Sequence, residues 1–152
     1  MLIKTHLAII VFFILLLIPS VENKFVFVSI ALIATFIPDI DSRFSKLGQR
    51  KIFRVFQFFV RHRGFTHSFI FLFLITSFFV LFLPVVAFPL FLGYGIHLLV
   101  DSFSREGIKP FYPFKKTSSG KLRTDGRVET SIFVVFILAD LFLLVFKISS
   151  IF

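Results

Sequence analysis

Imidazole and carboxylate side chains are concentrated in three short motifs of this chain and near its start. The motifs are Pro38-Asp39-Ile40-Asp41, His62-Arg63-Gly64-Phe65-Thr66-His67-Ser68 and His97-Leu98-Leu99-Val100-Asp101. Such side chains are the usual ligands of zinc, manganese and iron. His97 and Asp101 are four residues apart and would share one helix face. We predict a metal site built from His6, Asp39, Asp41, His62, His67, His97 and Asp101.

The residues next to His67 suggest further roles. Arg63 offers forked donors that suit a phosphate group. Gly64 permits an unusual backbone turn, and Thr66 is predicted to cap the helix that presents His67 inward. The second motif is therefore the most specific of the three.

Several of these residues also have simpler explanations when each is taken alone. A single histidine near a membrane surface, such as His6, is often an interfacial residue, and Asp39 or Asp41 could form a turn after Pro38. Arg61 and Arg63 could be ordinary contacts to lipid headgroups. The convergence of the whole set favours a metal site.

The composition is that of an integral membrane protein. Of 152 residues, 57% are apolar and 27 are Phe, and the mean hydropathy is +0.98. A soluble domain is about 45–50% apolar. We predict an all-α membrane bundle forming a single domain over residues 1–152. Cysteine is absent, which excludes disulfides and thiolate metal sites.

Five apolar segments predict about five transmembrane helices. Their approximate bounds are residues 2–21, 23–37, 66–83, 85–103 and 130–147. A polar stripe of Lys46, Arg50, Arg54, Gln57 and Arg61 predicts an interfacial amphipathic helix between the second and third segments. Residues 104–129 are predicted to be a polar loop, irregular or containing a short hairpin.

The basic residues predict the orientation. The formal charge is +9, and residues 38–65 and 104–129 contain seven Lys or Arg each. With five spans and a cytoplasmic N-terminus, both basic loops lie in the cytoplasm, as the positive-inside rule requires. All the predicted ligands then fall on the cytoplasmic face of the membrane. We interpret the charge as membrane orientation and attraction to anionic lipid headgroups, and we expect no nucleic-acid partner.

Three further stretches accompany these motifs: Leu47-Gly48-Gln49-Arg50, Gly93-Tyr94-Gly95-Ile96 before His97, and Gly107 with Pro110 to Pro113. In this order, the motifs and stretches resemble the YdjM-like family over about residues 6–114. Members of that family are described as metal-dependent hydrolases of the inner membrane, and its namesake as LexA-binding. The resemblance implies a multi-pass inner-membrane enzyme.

His97-x-x-x-Asp101 is also similar to a ligand pair of zinc-dependent phospholipases C and single-strand nucleases. By that similarity His97 and Asp101 are ligands, Asp39 or Asp41 is a bridging or terminal carboxylate, and the other histidines supply imidazoles. The chain lacks the second His-x-x-x-Glu pair of that group. We therefore expect one or two divalent ions, zinc or alternatively manganese.

The leading hypothesis is a metal-dependent hydrolase that cleaves a phosphoester in a lipid or other membrane-proximal substrate, with Asp39, His67 and Arg63 acting in catalysis. A metal or proton transporter is a second hypothesis, and it would require Asp140, in the middle of the last segment, to face the histidines. The third is a non-catalytic regulatory membrane protein.

Overall fold

The computed structural model describes residues 1–41 and 64–149, and these form five α-helices. The helices are α1 (Ile3–Leu17), α2 (Lys24–Phe36), α3 (Phe69–Phe82), α4 (Pro84–Ser102) and α5 (Arg127–Ser149). No strand occurs within the described ranges, so the predicted all-α fold is confirmed. The predicted interfacial helix at residues 46–61 lies outside the described residues.

Proline residues account for several helix boundaries. Pro19 lies in the 3-10 turn Ile18–Ser20 that follows α1, and Pro38 begins a second 3-10 turn, Pro38–Asp41, after α2. Pro84 is the first residue of α4, where its missing N–H group costs no helical hydrogen bond. Leu83 before it has φ −147° and ψ 70°, which separates α3 from α4.

Within residues 1–41 and 64–149, three stretches are long and apolar enough to cross a membrane: Ile3–Ser20, Pro84–Ser102 and Arg127–Ser149. Helices α2 and α3 are apolar but have only 13 and 14 residues. At 1.5 Å per residue they are about 20 Å long, against a hydrocarbon core of about 30 Å. The chain is thus a helical membrane protein, while five complete spans stay a prediction.

Contacts between side chains define the helix directions. Contacts of Phe27 with Phe88 and of Thr35 with His97 show that α2 and α4 run in the same direction. Contacts of Thr5 with Glu129 and of Phe12 with Phe136 show the same for α1 and α5. Helix α3 runs against α4, since Phe71 meets Tyr94 while Phe73 meets Phe91.

These directions place the starts of α1, α3 and α5 and the ends of α2 and α4 together at one end of the bundle, which we call the site end. Successive helices therefore run in alternating directions. All described ligand candidates lie at the site end, as the sequence predicted.

The α2–α4 contact is the closest in the bundle core and depends on Gly93. A Cβ atom at this position would lie 2.1 Å from the carbonyl oxygen of Ala31 and 3.1 Å from the Cβ of Ala34. Only a residue without a side chain permits this approach. The contact fixes the register that brings His97 beside the last turn of α2.

The loop between α4 and α5 is irregular, as predicted. Ile108 and Ser118 exchange two backbone hydrogen bonds of 2.9 Å, and Ser104 forms an isolated bridge with Leu122. These pairings do not extend into strands within the described residues. Gly107, with φ +62°, permits the turn that brings the two sides of the loop together.

Candidate metal centre

Five of the seven predicted ligands come together at the site end. Two of them lie on the same helix, and the other three lie on three separate segments of the chain. His6 lies in the first turns of α1, Asp39 in the turn Pro38–Asp41, and His67 just before α3. His97 and Asp101 occupy the last turns of α4. Two overlapping sets, His6 with His97 and Asp101, and Asp39 with His67 and His97, have ligand atoms within 4.8 Å of one another.

Asp101 is the carboxylate closest to the imidazoles. Its Oδ1 lies 3.3 Å from Nε2 of His6, and its Oδ2 lies 3.7 Å from Nε2 of His97 and 3.9 Å from Nε2 of His67. The second carboxylate is that of Asp39, whose Oδ1 lies 3.8 Å from Nε2 of His97. The Nε2 atoms of three histidines therefore face two carboxylates in one small space.

Backbone carbonyl groups orient two of the imidazole rings. Nδ1 of His6 lies 3.0 Å from the carbonyl oxygen of Leu2, and Nδ1 of His97 lies 2.7 Å from that of Thr35. A carbonyl oxygen only accepts, so Nδ1 carries the hydrogen in both rings. In the neutral imidazole the lone pair is then on Nε2 and points into the centre, the arrangement found in metal-binding histidines.

The centre is dry. His6, His67, His97 and Asp101 are at most 2% exposed, and Asp39 is partly buried. Nε2 of His6 and Nε2 of His97 have no hydrogen-bond partner among the described residues. Buried polar atoms are normally paired, so two inward-facing lone pairs without a donor suit a cation.

Burial also acts on Asp39. It raises the pKa of the Asp39 carboxyl above its ordinary value, while His67 nearby opposes this effect. A bound divalent ion would offset the cost of burying the carboxylate, because the ion is the largest charge in such a site. A nearby cation would thus stabilise the ionised form of the Asp39 carboxylate.

The spacing of the donors fits a metal ion. Ligands about 2.1 Å from a tetrahedral zinc ion are about 3.4 Å apart. The measured Nε2–O distances of 3.3, 3.7, 3.8 and 3.9 Å are close to that value. The donor atoms therefore fit a divalent ion in their type and in their approximate spacing.

The remaining predicted site residues are not tested in the same way. His62, Arg61 and Arg63 lie outside the described residues, and for Asp41 the structure describes only the backbone. The predicted cap at Thr66 is wrong. Ser68 caps α3, because its hydroxyl oxygen accepts the N–H of Phe71 at 3.2 Å.

His67 consequently precedes α3 rather than lying on it. The carbonyl oxygen of Thr66 accepts the hydroxyl of Tyr94 at 2.5 Å, which fastens this segment to α4. Tyr94 is fully buried. It holds the His67 segment against the helix that carries His97 and Asp101.

Glu129 is a residue of the site that the sequence analysis missed. Its side chain is 1% exposed, and its Oε1 accepts the backbone N–H of Leu2 at 2.6 Å and the hydroxyl of Thr5 at 3.1 Å. Its Oε2 accepts the N–H of Asp125 at 2.6 Å. Glu129 therefore holds the first turn of α1, and with it His6, against the start of α5. An acid at the start of an apolar helix was the available signal.

The N-terminal amino group of Met1 donates to Oδ1 of Asp101 at 2.5 Å. Asp101 thus faces a cation as well as imidazoles. Asp140, by contrast, lies eleven residues beyond Glu129, or about 16 Å further along α5. It belongs to neither described ligand set.

We found no significant match among curated proteins or among solved structures. The family model of the YdjM inner membrane protein matches residues 1–151. This match extends beyond residues 6–114, where the motifs lie, and includes α5 at the end of the chain. The long apolar helices agree with a membrane location. The chain belongs to the YdjM inner membrane protein family.

Proposed function

We propose that this protein is a membrane-bound, metal-dependent hydrolase that acts on phosphoesters at the membrane surface. The observation that carries the proposal is the buried cluster of three imidazoles and two carboxylates, with two Nε2 lone pairs directed into it and no donor to meet them among the described residues. A purely structural cluster would be expected to pair these atoms.

The described donors favour a single ion. Both ligand sets contain His97, whose Nδ1 is occupied by the carbonyl oxygen of Thr35. Only the Nε2 lone pair is left, and one lone pair binds one ion. An ion bound to His97 could therefore take its other ligands from either set, and the two sets cannot both hold an ion through His97. Mixed nitrogen and oxygen donors suit zinc, with manganese as the alternative.

A divalent ion in this centre would lower the pKa of a bound water to near 7 and stabilise negative charge on a phosphoryl oxygen. His6, His97 and Asp101 are the most buried donors and would hold the ion. Asp39 is the more exposed carboxylate, and we assign it and His67 to the side that meets substrate and transfers protons. Arg63, four residues before His67, is the proposed phosphate-binding side chain.

We place the site on the cytoplasmic face. The described ends of both stretches that contain seven basic residues lie at the site end, and the helix directions suit five alternating passes. A substrate phosphate would then meet the ion at headgroup level.

Transport through the same residues has less support. A pathway would need ionisable groups at successive depths, and within the described residues Asp140 is far from the ligand sets. A regulatory role without catalysis would explain neither the spacing of the donors nor their inward lone pairs.

The test is elemental analysis of detergent-purified protein, followed on the same samples by hydrolysis of a model phosphodiester and a model phosphomonoester. We expect about one zinc or manganese per chain in the wild type and loss of metal in His97→Gln with Asp101→Asn. Ser102→Ala is the matched control on α4, since its hydroxyl bonds only to the carbonyl of Leu99.

Metal that is lost with the ligands, together with turnover that depends on it, would support the hydrolase. Wild-type protein that takes up neither zinc nor manganese on reconstitution would overturn it. Metal without turnover on either substrate would leave a binding site and reject the proposed phosphoesterase activity.

A further inference from the structure

The loop between α4 and α5 has an exposed tip, residues 111–116, in which aromatic side chains are followed by two lysines. Phe111 is 56% exposed and Phe114 is 69% exposed, and Lys115 and Lys116 directly follow. Residues 109–124 contain five Lys or Arg and no acid. Exposed Phe beside unopposed Lys is an arrangement that suits a surface both apolar and negatively charged.

The tip is held in place rather than free. The N–H of Phe114 donates to the carbonyl oxygen of Phe111 at 2.8 Å, and the Ile108–Ser118 pair closes the loop below it. The exposure of the two Phe rings is therefore built into the backbone.

The tip is also attached to the segment that carries His67, and we call this side of the metal centre its mouth. The carbonyl oxygen of Pro110 accepts the N–H of Phe69, the first residue of α3, at 2.8 Å. The ring of Tyr112 lies edge-on to that of Phe65, with centroids 6.4 Å apart. Phe65 and Phe69 flank His67 by two residues on each side.

We propose that the Phe111–Lys116 tip binds anionic phospholipid and holds the mouth of the metal centre in the headgroup layer. Pro110, next to the tip, accepts a hydrogen bond from the first residue of α3, so the tip lies near the level at which that apolar helix begins. Phenylalanine rings would enter the boundary between headgroups and acyl chains, and lysine side chains would meet lipid phosphates.

This inference deepens the proposed function and rests on it in one respect, the identity of the substrate. If the centre is a phosphoesterase, the phosphate group presented to it is that of an anionic phospholipid rather than of a soluble phosphoester. The lipid contact itself does not depend on catalysis.

The chain has no cysteine, so single labels are easily introduced. We would label Phe114→Cys with an environment-sensitive fluorophore in nanodiscs of phosphatidylcholine, with and without phosphatidylglycerol. A second label at Ser119→Cys, exposed in the same loop but outside the tip, is the control. Quenching by headgroup-labelled lipid reports contact with the membrane.

We expect a blue-shifted and quenched label at position 114 but not at 119. The phosphatidylglycerol-dependent part should be lost when Lys115→Gln and Lys116→Gln are added. A label at 114 that is no more quenched than that at 119 would overturn the proposal and indicate that the tip faces water or a soluble partner. Quenching that is equal with and without phosphatidylglycerol would overturn the assignment to anionic lipid.

Metal content measured on the same nanodiscs separates the two proposals. A water-exposed tip with metal bound would leave the hydrolase standing. A quenched tip on a protein that takes up no metal would keep the lipid contact and reject the hydrolase.

Discussion

Helices α4 and α5 are both long and apolar enough to cross a membrane, yet they occupy opposite positions in the structure. Of the membrane-length window, 56% is buried in α4 and only 6% in α5. Ten residues of α4 are buried, among them His97 and Asp101, whereas the two buried residues of α5 are the acids Glu129 and Asp140. Hydropathy identifies both helices, but small residues and polar contacts decide which one is central.

The comparison indicates that α4 forms the core of the bundle by close packing, whereas α5 contributes to the site through the side chain of Glu129 alone among the described residues. Gly93 lets α4 approach α2, and Pro89 and Tyr94 are buried beside it. Helix α5 is exposed along most of its length and contacts α1 along one face. Glu129 connects it to the ligands. Substitutions in the two helices should therefore have different effects on stability and on metal binding.

The largest effect is expected from Gly93→Ala. The new Cβ would meet the carbonyl oxygen of Ala31 at 2.1 Å, so α2 and α4 would have to separate. We expect a loss of about 3 kcal/mol or more in the free energy of unfolding, and lost metal, because His97 would leave Thr35. Thermal unfolding in detergent and elemental analysis measure both.

Gly95→Ala is the matched control. Its Cβ would find only a side-chain atom of Leu72 at 3.5 Å, an ordinary contact. Equal stability of the two variants would show that the close α2–α4 approach is not needed.

Glu129→Ala should act on the metal centre from a distance. Its removal leaves the N–H of Leu2, the hydroxyl of Thr5 and the N–H of Asp125 without their buried acceptor. We expect metal affinity to fall on the order of tenfold, since residues that orient a ligand typically contribute that much. A competitive zinc titration with a chromogenic chelator measures the change.

Asp125→Asn controls for this loop, because it keeps the backbone donor and Asn tolerates the φ of 60° at that position. If Glu129→Ala lowers thermal stability but leaves zinc affinity unchanged, Glu129 only joins α5 to α1 and does not position His6.

The smallest effect, and one of opposite sign, is expected at Asp140. This carboxyl is 6% exposed, and its Oδ1 has no hydrogen-bond partner among the described residues. Asp140→Leu should raise stability by about 1–3 kcal/mol, the usual cost of an unsatisfied buried polar group. Thermal unfolding of Asp140→Leu beside Asp140→Asn tests this, with metal content unchanged in both. Loss of metal in either variant would instead support a pathway through α5.

Much of the fold was predictable because its signals are local. Apolar runs bounded by Pro38 and Pro84 define helices, and the two basic loops define which ends share one side. That reasoning brought His6, Asp39, His67, His97 and Asp101 to one end of the bundle without any knowledge of contacts. The capping prediction failed since Thr66 and Ser68 are both suitable caps and only the backbone conformation selects between them.

The sequence by itself determined a helical membrane protein and predicted that histidine and aspartate side chains meet at one end of its helices. Hydrophobic periodicity, proline positions and charge bias are properties of short segments. Only the tertiary structure decided which nitrogen of each imidazole faces the centre, because the carbonyl groups of Leu2 and Thr35 orient the rings. It also decided the role of Glu129, because its partners Leu2 and Thr5 lie more than 120 residues earlier in the chain, a distance across which no sequence pattern carries information.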